Sequence, residues 1–413
     1  MDRGAVAEIN LSAIAHNLKT VSRSVKERPV IAVVKADAYG HGCLEVSKRL
    51  IQEGVSFLAV AYTGEAISLR GAGITAPIIV LFDCEDINNF FDFDLLPVIH
   101  TSTTASALSR EAGRRRTTIK VHVKVDTGMG RLGLCGKHVI RDIMKIVGME
   151  GIELAGLMSH FSDADLSDTS FAEIQLKEFN VIRDTLYKKL NRNIFSHMAN
   201  SAAVINFEDA HLDAVRPGLM IYGYSPLSQN LIPMLPPYNP PLTPLLEKGG
   251  KGGFESGNGG IVNSEPTTLM PAMSVKTKIL CIRNLPPSYP ISYGRTYVTK
   301  RKSIIGVLPL GYADGYNRLF SNSGVVLVRG NRVPVVGRVC MDLTMVDLTE
   351  IKNVKEGDEV VLLGQQGNET ITAYELAQRA QTIPYEILTS LGSHSKKEYI
   401  HNSLLNRSTS SII

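Results

Sequence analysis

The sequence predicts an α/β protein, a (β/α)8 TIM-type barrel followed by a mostly β C-terminal domain. Three observations carry this expectation. From residue 29 to 223, eight short apolar runs alternate with amphipathic helical stretches, the pattern of a parallel sheet covered by helices. From about residue 272 the pattern turns to short strands separated by glycine turns. Polar residues able to do chemistry collect at the C-terminal ends of these strand runs, the first and the last among them, where barrels place their sites. A doubly wound open sheet is the alternative, but the usual Gly-x-Gly-x-x-Gly turn does not follow the first strand.

The strand runs of the barrel are 29–36, 57–61, 77–82, 95–100, 120–126, 153–159, 194–198 and 214–221. A short apolar run bounded by turn residues reads as a strand buried on both faces. Helical patterns at 43–53, 64–71, 102–114, 136–147 and 171–190 lie between them. In the last of these, Phe171, Ile174, Phe179, Ile182 and Leu186 recur at helical spacing and read as core. The domains expected are a barrel over 9–232, a Pro/Gly-rich flexible insertion over 233–268 and a β domain over 269–400. Half of residues 233–244 are proline and half of 247–260 are glycine, too little apolar surface for a core. The β-domain strands are expected at 273–282, 303–310, 324–328, 332–337, 343–348 and 359–363, with one short helix at 373–381. Residues 401–413 read as a frayed tail, and residues 1–8 are expected to pair with the β domain.

Composition bounds the function. The 413 residues carry a net charge of only +4, which argues against a nucleic-acid or polybasic membrane binder. Five widely spread cysteines have no metal-ligand spacing and read as reduced thiols. The N-terminus lacks an apolar signal segment, and no apolar run reaches the roughly 20 residues a membrane helix needs. A cytoplasmic location is expected.

The run PVIAVVKADAYGHG, residues 29–42, ends a buried strand on Lys35 and follows it with Tyr39 and two glycines. Lysine is rarely buried without a partner. At a strand tip it is either a snorkelling side chain or a group for Schiff-base chemistry with a carbonyl. Asp126 and Arg131 follow the fifth strand, His160 ends the sixth, Asn200 and Ser201 end the seventh, and Arg216 lies on the eighth before Pro217-Gly218.

Several segments together resemble one family. These are VVKADAYGHG (33–42), VDTGMGRLG (125–133), MSHF (158–161), HMANSAA (197–203), VRPGLMIYG (215–223), SYG (292–294), GYADGYNR (311–318), GRVCMD (337–342) and TIPYE (382–386). With EINLSAIAHNL (8–18), they run in the order of the bacterial alanine racemases. The resemblance implies a homodimer with shared active sites that interconverts L- and D-alanine by a two-base mechanism and supplies D-alanine for peptidoglycan. It implies pyridoxal 5′-phosphate as cofactor and no metal. A serine or broad-spectrum amino-acid racemase, and a non-catalytic barrel that binds the same cofactor, are the alternative readings. The β-domain motifs argue against the last.

On this resemblance Lys35 carries the cofactor as a Schiff base and is one base, and Tyr293 of the SYG motif is the other. His160 and Arg216 form the relay to Tyr293, and Arg216 also faces the pyridine nitrogen. Arginine can only donate, so that nitrogen stays unprotonated and the ring is a weaker electron sink, which suits proton return to Cα. Tyr39, Ser201, Tyr385 and the N–H groups of Gly218 and Leu219 resemble the phosphate cup. Ser201 also reads as a helix cap, with Asn200 beside it, and both roles are compatible. Arg131, Met341 and Tyr312 resemble the substrate-binding residues, and Asp342 resembles a residue orienting that loop.

In KVHVKVD, residues 120–126, the alternation puts Lys120, His122, Lys124 and Asp126 on one face and valines on the other. Lys124 then points into the barrel near Arg131, where two cations repel. By resemblance Lys124 is carbamylated, which turns it into an anion. A bound chloride, or Asp126 alone, is the alternative.

Overall fold

The structure, a computed structural model, describes residues 4–227 and 269–401. The insertion expected at 233–268 lies outside the described residues, as does the expected tail except His401. The chain opens with strand β1 (Val6–Asn10), whose last residue starts the helix Leu11–Ser24. The Asn10 side chain accepts the N–H groups of Ser12 and Ala13 at 3.0 and 3.1 Å, as a helix cap does.

Seven parallel strands follow: β2 (Ile31–Val33), β3 (Phe57–Val60), β4 (Ile78–Val80), β5 (Leu96–Ile99), β6 (Ile119–Lys124), β7 (Ile152–Met158) and β8 (Ser196–His197). They pair in sequence order. The eighth position is filled by Ala214 and Val215, which bridge to His197 on one side and Val30 on the other. The Ile31 N–H donates to Val215 O at 2.9 Å, and the Val215 N–H donates to Pro29 O at 3.1 Å. This seam joins the last strand to the first. The run expected to be one strand over 214–221 is therefore split: proline removes a ladder donor at 217, and Leu219–Tyr222 turn as a 3-10 helix.

In the β domain one sheet runs Asn331–Pro334, Val325–Val328, Glu359–Gln366, β9 (Met273–Lys278), β1 and Lys396–Ile400, with Glu369–Ile371 paired to Glu359–Gln366. The expected pairing of the N-terminus with this domain is thus present, parallel to one neighbour and antiparallel to the other. A smaller sheet joins Cys281–Leu285, Ser303–Leu308 and Thr344–Asp347. The run expected as one strand over 273–282 is two strands, broken at Ile279 and Leu280.

A helix absent from the sequence expectation, Pro384–His394, presses onto the turn that follows Lys35. Gly40 and Gly392 make this approach possible. A Cβ on Gly40 would lie 2.5 Å from Leu388 O, and one on Gly392 would fall on the Gly40 carbonyl. Among the described residues no helix is long and apolar enough to cross a membrane, and no group of His, Cys, Asp and Glu has the makings of a metal site.

Candidate active site

Lys35 leaves the end of β2, and the chain at once takes an uncommon path. Ala36, Asp37, Ala38 and Tyr39 all have φ between 52° and 55°, a left-handed turn built without glycine. Each such residue costs on the order of 1–2 kcal/mol, so the surroundings must hold it. They do so from several directions. Glu65 Oε1 accepts the Ala36 N–H at 2.6 Å, Asp37 Oδ1 accepts the Cys43 N–H at 2.7 Å, and Lys397 pairs with Asp37 at 2.9 Å. The turn aims Lys35 and Tyr39 into the barrel mouth together.

Three cations gather around one ring. Lys35 Nζ, Lys124 Nζ and Arg131 Cζ lie 5.3, 5.8 and 5.7 Å from the centroid of Phe82. No carboxylate pairs with any of the three among the described residues. Burial, then Arg131, pull the Lys35 amine down from its ordinary pKa, against a smaller opposing pull from Glu65. Burial, Arg131 and Arg216 bring Lys124 down to about 8. Asp126 does not neutralise them directly. Burial opposes its ionisation, but its oxygens accept the N–H groups of Gly128, Gly130 and Arg131 at 2.9, 3.1 and 3.0 Å, and the carboxyl ends below its usual range. The inward placement of His122 and Lys124 expected from the alternation is present, with Val121 and Val123 buried on the other face.

Arg216 is buried and pinned on both terminal nitrogens. Nη1 donates to His197 Nδ1 at 2.5 Å and to His197 O at 2.7 Å. Nη2 donates to Ser159 O at 2.5 Å and Met198 O at 3.0 Å, with His160 Nδ1 at 3.4 Å. Among the described residues this leaves Nε–H for a ligand. Burial pushes Arg216 down to about 9, which still leaves it protonated at neutral pH. Burial and the Arg216 charge hold His160 and His197 well below the ordinary imidazole pKa, so both rings are neutral.

Beside Arg216 lies a cradle of donors. Ser201 Oγ accepts the Gly218 N–H at 2.9 Å and the Met220 N–H at 3.4 Å, while the Leu219 N–H takes no partner among the described residues. Asn200, not Ser201, caps the helix Ser201–Asn206, accepting the Ala203 N–H at 3.0 Å. A Cβ on Gly218 would come 2.5 Å from the Tyr39 hydroxyl, so glycine lets that phenol reach the backbone. The Tyr385 ring packs 5.8 Å from that of Tyr39, carried there by Pro384–His394.

Tyr293, Tyr312 and Met341 stand elsewhere, on β-domain loops, 71%, 43% and 53% exposed. They form one patch. The Tyr312 N–H donates to Cys340 O at 3.1 Å, and Ser292 Oγ donates to Arg338 O at 2.6 Å. No described hydrogen bond, ion pair or ring contact joins the patch to Lys35 or Arg216 of the same chain.

The family model described as the alanine racemase N-terminal domain matches residues 9–226, and that of the C-terminal domain matches 272–399. The chain belongs to the alanine racemase family. An alanine racemase of Thermodesulfovibrio yellowstonii is 46% identical to it over 97% of this chain and 99% of the relative. One of Halothermothrix orenii is 40% identical over 95% and 96% of the two chains. Among solved structures, the alanine racemase of Bacillus anthracis with bound L-Ala-P is 33% identical, with a TM-score of 0.82 over 97% of this chain and 96% of that one. That of Bartonella henselae, with covalently bound pyridoxal phosphate, is 27% identical, with a TM-score of 0.79 over 96% and 99%.

Alanine racemases are pyridoxal phosphate enzymes, and the residues in place fit that group. Lys35 offers an amine biased toward its neutral, nucleophilic form. The cradle offers the unpartnered Leu219 N–H and the hydroxyls of Tyr39, Ser201 and Tyr385 for an anion. Arg216 keeps Nε–H for a ring nitrogen. Sequence reasoning missed Glu65, Phe82 and His197. The strict donor character of Arg216 was the signal for His197, since a buried guanidinium demands buried acceptors.

Proposed function

We propose that this chain racemises alanine as a homodimer in which each active site draws on both subunits, with Lys35 and Tyr293 as the two bases. The activity is that of the alanine racemase family, the interconversion of L- and D-alanine with pyridoxal 5′-phosphate. The observation that carries the shared site is the exposure of Tyr293, at 71%, on a patch with Met341 and Tyr312 that has no described link to Lys35 in its own chain. A base of the reaction cannot remain in open solvent, and a two-fold axis brings that patch to the barrel mouth of the other copy.

When bound, the cofactor supplies a carbonyl that condenses with the substrate amine and a ring that stabilises negative charge at Cα. Lys35 would hold it, and Tyr39, Ser201, Tyr385, Gly218 and Leu219 would take its phosphate, with Asn200 capping the helix that presents Ser201. Arg216 would donate to its ring nitrogen and leave that nitrogen unprotonated. The lowered pKa of Lys35 lets its free amine take or return the Cα proton on one face. Tyr293 of the partner subunit does so on the opposite face. A free phenol titrates near 10, so its phenolate needs donors nearby, and His160, backed by Arg216, provides them. Arg131 and the Met341 N–H of the partner subunit hold the substrate carboxylate, and Tyr312 lines the entrance.

Lys124 is carbamylated in this reading. The three unpaired cations around Phe82 support an anion there, and an amine with a pKa of about 8 keeps enough free base to react with carbon dioxide. Electron density at Lys124 tests it, and a bare amine beside a halide overturns it. We divide the chain into a barrel over 9–232 and a β domain over 269–400, and place the enzyme in the cytoplasm, supplying D-alanine for peptidoglycan. A chiral assay over a panel of amino acids tests the substrate. Alanine is expected to turn over fastest, and faster turnover of serine would replace this reading.

A further inference from the structure

Beyond Arg216 the hydrogen-bond chain runs one residue deeper, to His122, which among the described residues bonds to neither Lys35 nor Arg216. His197 Nε2 lies 2.8 Å from His122 Nδ1, and both rings are buried. The directions of these bonds are fixed by chemistry. Arginine has no acceptor, so His197 Nδ1 is bare where Arg216 Nη1 meets it at 2.5 Å. A neutral His197 therefore carries its proton on Nε2. That proton faces His122 Nδ1, which must be bare in turn, so the His122 proton is on its own Nε2. Burial and the Arg216 charge keep both rings neutral, with His122 down to about 4. The chain thus runs one way, from Arg216 to His197 to His122.

The neighbouring strand is shaped for this ring. A Cβ on Gly156 of β7 would collide with His122 Nδ1 and Cε1, so only glycine leaves the acceptor nitrogen its place. Without an acceptor at 122, the His197 Nε2–H would be a buried donor with no partner. The other tautomer would turn its proton against the guanidinium.

We propose that His122 is a positioning residue for the racemase reaction: it fixes the tautomer of His197 and thereby holds the Arg216 guanidinium in place. The proposal rests on Arg216 facing the cofactor nitrogen. Removing the acceptor lets the guanidinium shift, and the cost falls on turnover more than on substrate binding.

The test compares His122→Phe, which keeps the ring and loses the acceptor, with His122→Asn, whose Oδ1 can stand where Nδ1 stood. The expected result is a fall in kcat of about tenfold in the Phe variant with KM for alanine little changed, and recovery to within about threefold in the Asn variant. Wild-type kcat in the Phe variant, or equal losses in both, overturns the proposal. Neutron diffraction of the wild-type holoenzyme gives a second reading that needs no variant. Deuterium on Nε2 of both histidines is expected, and deuterium on Nδ1 of either one overturns the chain. Arg216→Lys is measured alongside. If that variant keeps wild-type kcat, the assignment of Arg216 to the cofactor fails, whatever the tautomers are.

Discussion

The Glu65 carboxylate joins the ends of two barrel strands: one oxygen accepts the Ala36 N–H at 2.6 Å, and the other accepts the Ala61 and Tyr62 N–H groups at 2.7 and 3.2 Å. It therefore clamps the left-handed turn at its first residue, next to Lys35. Glu65→Gln keeps only one accepting oxygen, and its NH2 group must face an N–H. The protein should lose roughly 1 kcal/mol of stability in urea unfolding, the net worth of one hydrogen bond at the exposed Ala36 N–H. The Lys35 amine should titrate lower still, since Glu65 favours its charged form. Unchanged stability would mean that Asp37 and Lys397 hold the turn alone.

Lys35→Ala should abolish the visible Schiff-base absorbance of the purified holoenzyme. Reduction with borohydride followed by peptide mapping checks it. A reducible adduct persisting in the variant would place the attachment on another lysine.

Acid should destabilise this protein through its buried histidines. Burial holds His41 down to about 4, and burial with Arg216 does the same for His122. In the unfolded chain each ring titrates near 6.5. Between pH 6.5 and 4 the unfolded state binds more protons, so stability is complete above the upper value and drains as pH falls. Urea unfolding at pH 6.5 and pH 4.5 should show this, with His122→Asn reducing the difference by roughly 2–3 kcal/mol. An identical difference in the variant would mean that His122 accepts a proton while folded.

Lys35→Ala and Tyr293→Ala homodimers should each be nearly inactive, yet mixing them under subunit exchange should restore activity. In a heterodimer one site collects both changes and the other neither. Random pairing puts about half the dimers in that class, so about a quarter of all sites are whole. No recovery, with exchange confirmed by mass, would place both bases in one chain.

The first barrel strands were readable because a strand buried on both faces is an unbroken apolar run, and β2 to β5 are of that kind, while β6 showed itself by its alternation. The strand Lys396–Ile400 was not, because KKEYI lies at a sheet edge, where lysines protect against stray pairing and hide the strand pattern. Lys35, Tyr39 and Arg216 could be picked out because motifs surround them. Glu65 could not, since an acid in the first turn of a helix is ordinary, and only its reach to Ala36 gives it a second role. His197 opens the segment HMANSAA, in which only Asn200 and Ser201 have a role legible from sequence. Its use becomes visible only when the hydrogen bonds of Arg216 are followed one by one.

The position of β1 has a consequence for the order of assembly. Its two neighbours, β9 and Lys396–Ile400, both come from beyond residue 272. Synthesised ahead of the barrel, β1 is thus held waiting through the whole synthesis of the barrel, with both its edges unpaired. It alternates half-exposed and buried residues over only five positions, too short and too polar a template for adventitious pairing. The barrel is free to close early, while the seam between the two ends of the chain is among the last parts of the molecule to form.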